Sequence, residues 1–245
     1  MTSNLKVQIS NFLQELFFPS FCMGCQKEGL LLCQDCKATL EISEYNYCLC
    51  SKNPQRLYES KGGKCYSCRD KKLAGVYSAL PYREKWLTKK LIHKFKYPPH
   101  IKSLSKALAG ILVEHFVLAK NNTENIWHDS VLIPIPIEKT KMRNRGYNQA
   151  EELAKELGHS INVPLVLENL VKVKETLPQV KLSAKERQEN LKDAFLVRKD
   201  EQIQGKKVFL VDDVYTTGST MEECAKVLKE SGAKLVWGIA VTREG

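Results

Sequence analysis

What this chain has least of is uninterrupted hydrophobicity. Nowhere in its 245 residues does an apolar run approach the ~20 residues that a membrane span requires, and no secretory hydrophobic region stands near its start. Neither a spanning nor an exported protein is expected, and the expected location is the cytoplasm. Acids are the second shortage. Against 38 Lys and Arg there are 28 Asp and Glu, which leaves a formal net charge of +10 and favours anionic partners such as nucleotides, nucleic acids or membrane surfaces. The third shortage is local: after Cys68 a single cysteine remains, Cys224, expected as a small buried hydrophobe on a helix.

The other eight cysteines crowd between positions 22 and 68, as Cys22/Cys25, Cys33/Cys36, Cys48/Cys50 and Cys65/Cys68. In a reducing cytosol such pairs are not expected as disulfides. A Cys-x-x-Cys turn aims two sulfurs at one point, and two such turns complete a tetrahedral site, so four pairs imply two Zn²⁺ ions. Taken in sequence order, Cys22, Cys25, Cys33 and Cys36 hold one ion and Cys48, Cys50, Cys65 and Cys68 the other, with an interleaved pairing as the alternative. The third pair, "CLC", has one intervening residue rather than two. Closed four-cysteine sites leave no position for water, so the metals are expected to be structural, replacing a core that so small and polar a segment cannot build. Eight thiolates on two zinc ions add eight negative and four positive charges, so the total of +10 falls to +6 and the chain stays basic. Ahead of this region Leu5, Ile9, Phe12, Leu13 and Leu16 recur at helical spacing, expected as a helix packed on the cysteine module, with a helix lying on a lipid surface as the alternative.

Two domains are expected: a cysteine module with its leading helix over 1–75, and a larger domain over 76–245, entered through a strand and a basic helical segment over 76–130. In "LTKKLIHKFKY" the cations Lys89, Lys90, Lys94 and Lys96 alternate with Leu87, Leu91, Ile92 and Phe95 at helical period, up to Pro98 and Pro99. Between residues 82 and 106 stand eight Lys or Arg and one acid. Such a bias suits phosphates, and the four lysines are the candidate nucleic-acid contacts. Phe95 is expected in the core, Tyr97 is a candidate for base stacking, and His115 is expected to be structural.

Beyond residue 130 the chain alternates strand and helix. "SVLIPIPI", "LVLENLVKV", "KVFLVDDVY" and "KLVWGIAVTR" read as strands, while "GYNQAEELAKELG" and "GSTMEECAKVLKESG" read as helices. This predicts an α/β fold with a mainly parallel sheet flanked by helices, which binds ligands beyond the carboxyl ends of its strands. Asp212 and Asp213 lie at such an end. The following turn offers the hydroxyls of Thr216, Thr217, Ser219 and Thr220, and Gly218 lets the backbone approach closely. A helix beginning there presents free N–H groups to a phosphate. Carboxylates do not hold phosphates; vicinal ribose hydroxyls, or a Mg²⁺ shared with them, fit the acid pair. A phosphorylated sugar satisfies both halves of the turn.

"VFLVDDVYTTGST" resembles the motif by which type I phosphoribosyltransferases bind phosphoribosyl pyrophosphate (PRPP), and the chain from Cys22 onward resembles the ComF (ComFC, GntX-like) proteins. The resemblance is carried by the cysteine pairs, "LIHKFKY", "IPIP", "RNRGYNQA", "TLPQVKLSAKERQENLKDAF" and the motif itself. It implies a double zinc-ribbon module joined to a type I phosphoribosyltransferase-like domain. Asp212 and Asp213 would meet the ribose hydroxyls with Mg²⁺, and Thr216 to Thr220 would hold the 5-phosphate. The loop "EKTKMRNRGYNQ" would supply Lys139, Lys141, Arg143 and above all Arg145 to the pyrophosphate. The segment over 172–195 would be a closing loop, with Arg187 and Asn190 fixing it to its own domain or, as the alternative, contacting substrate. Two features depart from the family pattern: "CLC", and Tyr215 where an aliphatic residue is usual. Purine-salvage enzymes of this fold often carry an acid at the position of Thr216, and the start "MTSN" lacks the cysteine of a glutamine amidotransferase.

Three functions follow from the resemblance. The first is a PRPP-binding protein that handles single-stranded DNA during DNA uptake, together with other uptake proteins. Alternatively the chain is a metabolic phosphoribosyltransferase that transfers ribose 5-phosphate to a nitrogen base, or a PRPP sensor without turnover.

Overall fold

A computed structural model of the chain describes residues 19–57, 63–82, 86–120, 124–174 and 184–244. The leading amphipathic segment and residues 175–183 of the expected closing loop lie outside the described residues.

Two compact units divide between Glu41 and Ile42. In the first, an isolated antiparallel bridge joins Phe21 to Glu28, and a short helix α1 (Gln34–Ala38) opens after Cys33, whose sulfur accepts the N–H of Cys36 at 3.4 Å.

The second unit is built on one six-stranded sheet with spatial order β2-β1-β3-β8-β7-β4. Its four long members, β3 (Val76–Pro81), β8 (Leu235–Arg243), β7 (Lys207–Tyr215) and β4 (Ser130–Pro134), run parallel. Strands buried on both faces read as continuous apolar runs, as "VFLV" and "SVLI" do. The edge is a small antiparallel pair, β1 (Asn46–Tyr47) and β2 (Arg56–Leu57), which joins β3 through Tyr47 opposite Val76. The second cysteine group is therefore part of the sheet-bearing unit, and the boundary expected near residue 75 falls within that unit.

Helices α2 (Trp86–Lys96), α3 (Leu104–Leu118), α4 (Glu124–Trp127), α5 (Lys139–Arg145), α6 (Gln149–Ile161), α7 (Ala184–Leu191) and α8 (Ser219–Glu230) flank the sheet. Each of the longer ones buries one stripe. In α2 these residues are Leu87, Thr88, Leu91, Ile92 and Phe95; in α8 they are Met221, Cys224, Ala225 and Leu228. Fully burying an aliphatic or aromatic side chain of this size contributes about 1.5–3 kcal/mol. Cys224 is fully buried, as expected. His115 is also fully buried, with Nδ1 2.7 Å from the Ser43 carbonyl, and burial lowers its pKa. No helix among the described residues is long and apolar enough to cross a membrane.

One expected strand is corrected. "LVLENLVKV" does not run through the main sheet. Leu165 makes a lone parallel bridge to Leu132, the chain turns at Glu168 (φ 56°), and only β5 (Leu170–Lys172) is extended. It pairs antiparallel with β6 (Phe195–Val197) in a separate ribbon. The left-handed turn and the short apolar stretch beyond it explain the break.

Candidate functional site

β7 and β8 pair up to Tyr215 and Arg243, but the ladder between β7 and β4 ends at Val211, apart from one bond from the Ile135 N–H to the Val211 carbonyl at 2.9 Å. Residues 212–215 thus run on beyond the end of β4. The two aspartates sit in this overhang, inside β7 rather than at its last residue.

The two carboxylates lie close enough to interact with one another and with Lys96, but they differ in burial. Asp213 is 3% exposed, and its Oδ2 lies 2.9 Å from Lys96 Nζ at the end of α2. Asp212 is partly exposed, and its Oδ1 accepts the backbone N–H of Asp213 at 2.8 Å. Burial, then the adjacent Asp213 charge, push the Asp212 carboxyl up to about 8, with Lys96 opposing the rise. Burial works against the charge on Lys96, but Asp213, and after it Asp212, hold its pKa above the ordinary lysine value. Lys96, expected among the nucleic-acid contacts, is instead turned inward to the acid pair.

The turn after β7 is open toward solvent. Thr216, Thr217, Ser219 and Thr220 are all partly exposed, and the Thr217 and Ser219 hydroxyl oxygens lie 2.9 Å apart. Gly218 is the residue before α8, with φ 77°, and has no side chain to cap that helix; Thr217 Oγ1 accepts the Ser219 N–H at 3.4 Å. Only glycine adopts this conformation readily, and backbone N–H groups at a helix start are donors that a phosphate can accept from.

The basic loop and the end of α2 are fastened to one another. The Tyr147 hydroxyl donates to the Phe95 carbonyl at 2.6 Å, and Gln149 Nε2 reaches the same oxygen at 3.4 Å. Arg145 Nη1 donates to Gln149 Oε1 at 2.9 Å, and its guanidinium carbon lies 5.6 Å from the centre of the Tyr97 ring. Asn148, unremarked in the sequence, caps α6 by accepting the Ala150 N–H. Lys139, Lys141 and Arg143 are exposed on α5, with Lys141 3.5 Å from Glu138. Phe95 is fully buried and cannot stack on a base, whereas Tyr97 is 46% exposed. Further along α2, Lys89 is exposed, Lys94 partly so, and Lys90 Nζ lies 4.8 Å from the centre of the exposed Trp86 ring. The Arg187 side chain lies outside the described residues; Asn190 on α7 is partly buried.

The cysteines gather in sequence order. The Sγ atoms of Cys22, Cys25, Cys33 and Cys36 lie within 4.8 Å of one another, and so do those of Cys48, Cys50, Cys65 and Cys68. Separations of 3.6 Å (Cys25 to Cys33) and 3.5 Å (Cys50 to Cys65) are far too long for a disulfide, at ~2.05 Å, and close to the edge of a tetrahedron with ~2.3 Å zinc–sulfur bonds. Backbone N–H groups of Cys33 and Gln55 donate to Cys22 and Cys48 sulfur, the outer support that thiolate ligands take. Both groups fit structural zinc, and the short "CLC" spacing does not keep Cys48 and Cys50 apart from the other two.

The model of the phosphoribosyl transferase domain family matches residues 118–244. Over 237 residues the chain is 33% identical to Competence protein F of Haemophilus influenzae, covering 91% of this chain and 98% of that one. The chain belongs to the ComF family. Competence protein ComFC of Streptococcus pneumoniae is 30% identical over 86% of this ComF chain and 87% of its own. The DNA utilization protein YhgH of Salmonella typhi is 33% identical over 60% of this chain and 63% of its own.

Sequence reading of this ComF protein missed Lys96 as a partner of the acid pair, and the role of Tyr215, whose hydroxyl donates to the Leu49 carbonyl at 3.0 Å. The available signal was that Tyr215 departs from the aliphatic residue usual at its position.

Proposed function

We propose that the protein binds PRPP with Mg²⁺ at the end of β7 and handles single-stranded DNA during DNA uptake in the cytoplasm. The observation that carries the ligand reading is the overhang of β7: two carboxylates beyond the end of β4, followed at once by a turn with a left-handed glycine and a lining of hydroxyls. Asp212 and Asp213 would orient the ribose hydroxyls and, when Mg²⁺ is bound, share it with them. The turn over 216–220 would hold the 5-phosphate through backbone N–H and hydroxyl groups. Arg145 would approach the diphosphate, where a guanidinium can donate in pairs. Lys96 neutralises Asp213 within the same site, so the unliganded pair does not face a bare double charge.

The DNA reading is supported by the competence and DNA-utilization relatives and by α2. Lys89 and Lys90, with the exposed Trp86 and Tyr97 rings, offer cations and stacking faces together. Reducing conditions suit the eight thiols that the two metal groups require.

Calorimetric titration of PRPP with Mg²⁺ tests the ligand reading. Wild type should bind, and Asp212→Asn/Asp213→Asn should lose about 100-fold or more in affinity, because hydrogen bonds to charged groups contribute about 1.5–3 kcal/mol each. Equal affinity in the two proteins overturns the reading. Pyrophosphate release on addition of a nitrogen base would instead assign a transferase activity to the same site.

A further inference from the structure

The end of the sheet that carries the phosphate turn is fastened to the second cysteine group by residues outside the proposed ligand set. A Cβ placed on Gly218 would lie 2.3 Å from the Tyr215 hydroxyl oxygen, so the turn rests directly on the Tyr215 side chain. That hydroxyl is bonded to the carbonyl of Leu49, the single residue between Cys48 and Cys50. Lys71 Nζ reaches the same carbonyl at 3.1 Å. Arg243, opposite Tyr215 in the sheet and 5% exposed, donates Nη2 to the Cys50 carbonyl at 2.5 Å. Its guanidinium carbon lies 5.2 Å from the Tyr215 ring centre, while Nε and Nη1 have no hydrogen-bond partner among the described residues. From the other side of the turn, Glu222 in the first turn of α8 accepts the backbone N–H groups of Lys72 (2.5 Å) and Leu73 (3.2 Å), just past Cys68.

The ends of β7 and β8 and the start of α8 are therefore each tied to the 48–73 segment, the turn between β7 and α8 rests on Tyr215, and two of the ties end on the carbonyls of Leu49 and Cys50 in the Cys48–Cys50 turn. A zinc ion with four thiolates carries two formal negative charges, and a buried charge of that sign needs a partner. Arg243 is placed to balance it.

We propose that zinc at Cys48, Cys50, Cys65 and Cys68 sets the conformation of the 216–220 turn, with Tyr215 and Arg243 as positioning residues, so that metal occupancy and anion binding at the turn are coupled. The identity of the anion rests on the PRPP reading above; the mechanical link does not. Coupling of this kind is reciprocal, so a ligand on the turn must also slow loss of the metal.

Hydrogen exchange at the 216–220 amides decides the link without any ligand. Tyr215→Phe keeps the ring beneath Gly218 and removes only the hydroxyl. The zinc content should stay at two ions per chain, while exchange over 216–220 rises about fivefold, the effect of one net hydrogen bond. Unchanged exchange overturns the proposal. Should Tyr215→Phe fail to fold, Arg243→Lys, which keeps the charge but not the paired donors, carries the same comparison. A second measurement follows zinc release to a chromogenic chelator from a Cys22→Ser/Cys25→Ser variant that holds only the second ion. PRPP with Mg²⁺ should slow release several-fold, and should not do so once Tyr215→Phe is added; a purely structural tyrosine would leave the ligand effect intact. PRPP that binds without slowing release overturns the coupling. If PRPP does not bind at all, the ligand reading falls and the exchange comparison still decides the link.

Discussion

Lys96 and Asp213 form an ion pair in which the carboxylate is almost wholly withdrawn from water and depends on the lysine for its charge partner. A lysine-to-methionine change would keep most of the packing and strand a carboxylate that is 3% exposed. Removing one partner of a buried pair is destabilising by about 3–5 kcal/mol, and the 24% exposure of the lysine side chain places the expected loss at the lower end. Lys96→Met should therefore cost about 3 kcal/mol in urea unfolding, and adding Asp213→Asn should recover part of it. Additive losses in the double variant would mean that the pair is not coupled.

Asp212 makes a separate prediction about pH. Its carboxyl, raised to about 8 mainly by burial, is largely protonated at neutral pH in the unliganded protein. A raised folded pKa favours the protonated form, so the stability from this group is present in acid and is lost as pH climbs from about 4 through 8. On the proposed PRPP reading ligand binding would run the opposite way, since Mg²⁺ and ribose hydroxyls would call for the carboxylate. Affinity for PRPP with Mg²⁺ should rise by up to tenfold per pH unit between about 6 and 8, level off above that, and release a proton. Calorimetry in two buffers of different ionisation enthalpy measures that proton directly.

At the scale of elements, the turn between β7 and α8 combines a left-handed glycine with the Tyr215 ring beneath it. Gly218→Ala must find room for a methyl group 2.3 Å from the hydroxyl oxygen in a backbone state that costs alanine about 1–2 kcal/mol. The turn should shift, PRPP affinity should fall at least about tenfold, and the melting temperature should change far less than affinity does. A variant that binds normally would show that the turn is not the phosphate seat.

This element was legible in the sequence because everything in it is local. An apolar strand, two acids, a hydroxyl-rich turn and an amphipathic helix fall within "KKVFLVDDVYTTGSTMEECAKVLKESGAK", and each announces itself by period or composition. The four-cysteine groups were legible for the same reason. What joins these pieces was not. Lys96 and Asp213 are far apart in the chain, and a lysine bound for an acid pair looks like its solvated neighbours on α2. Tyr215 and Leu49 are separated by 166 positions, and one of the two partners is a backbone carbonyl, which no residue identity reveals. The stretch 165–173 misled because a short apolar run fits a buried strand and a small ribbon equally well.

For the molecule as a whole, the second cysteine group belongs to the sheet. Cys48, Leu49 and Cys68 are buried in one cluster with Tyr215, Met221, Cys224 and Ala240. A Cys48→Ser/Cys68→Ser variant should lose one of two zinc ions and also lower the melting transition of the phosphoribosyltransferase-like domain. Zinc analysis with calorimetric melting reads both, and an unaltered transition would show the group to be dispensable to the sheet.

The small pair β1–β2 also stands where the parallel sheet would otherwise stop, alongside β3, whose residues Val76 to Leu80 are all buried. Loss of the cysteine-held hairpin would leave that strand with an unprotected lateral row of amides and carbonyls, the kind of border along which separate molecules stitch together. Metal starvation should then appear first as concentration-dependent self-association of otherwise folded chains, before any general melting.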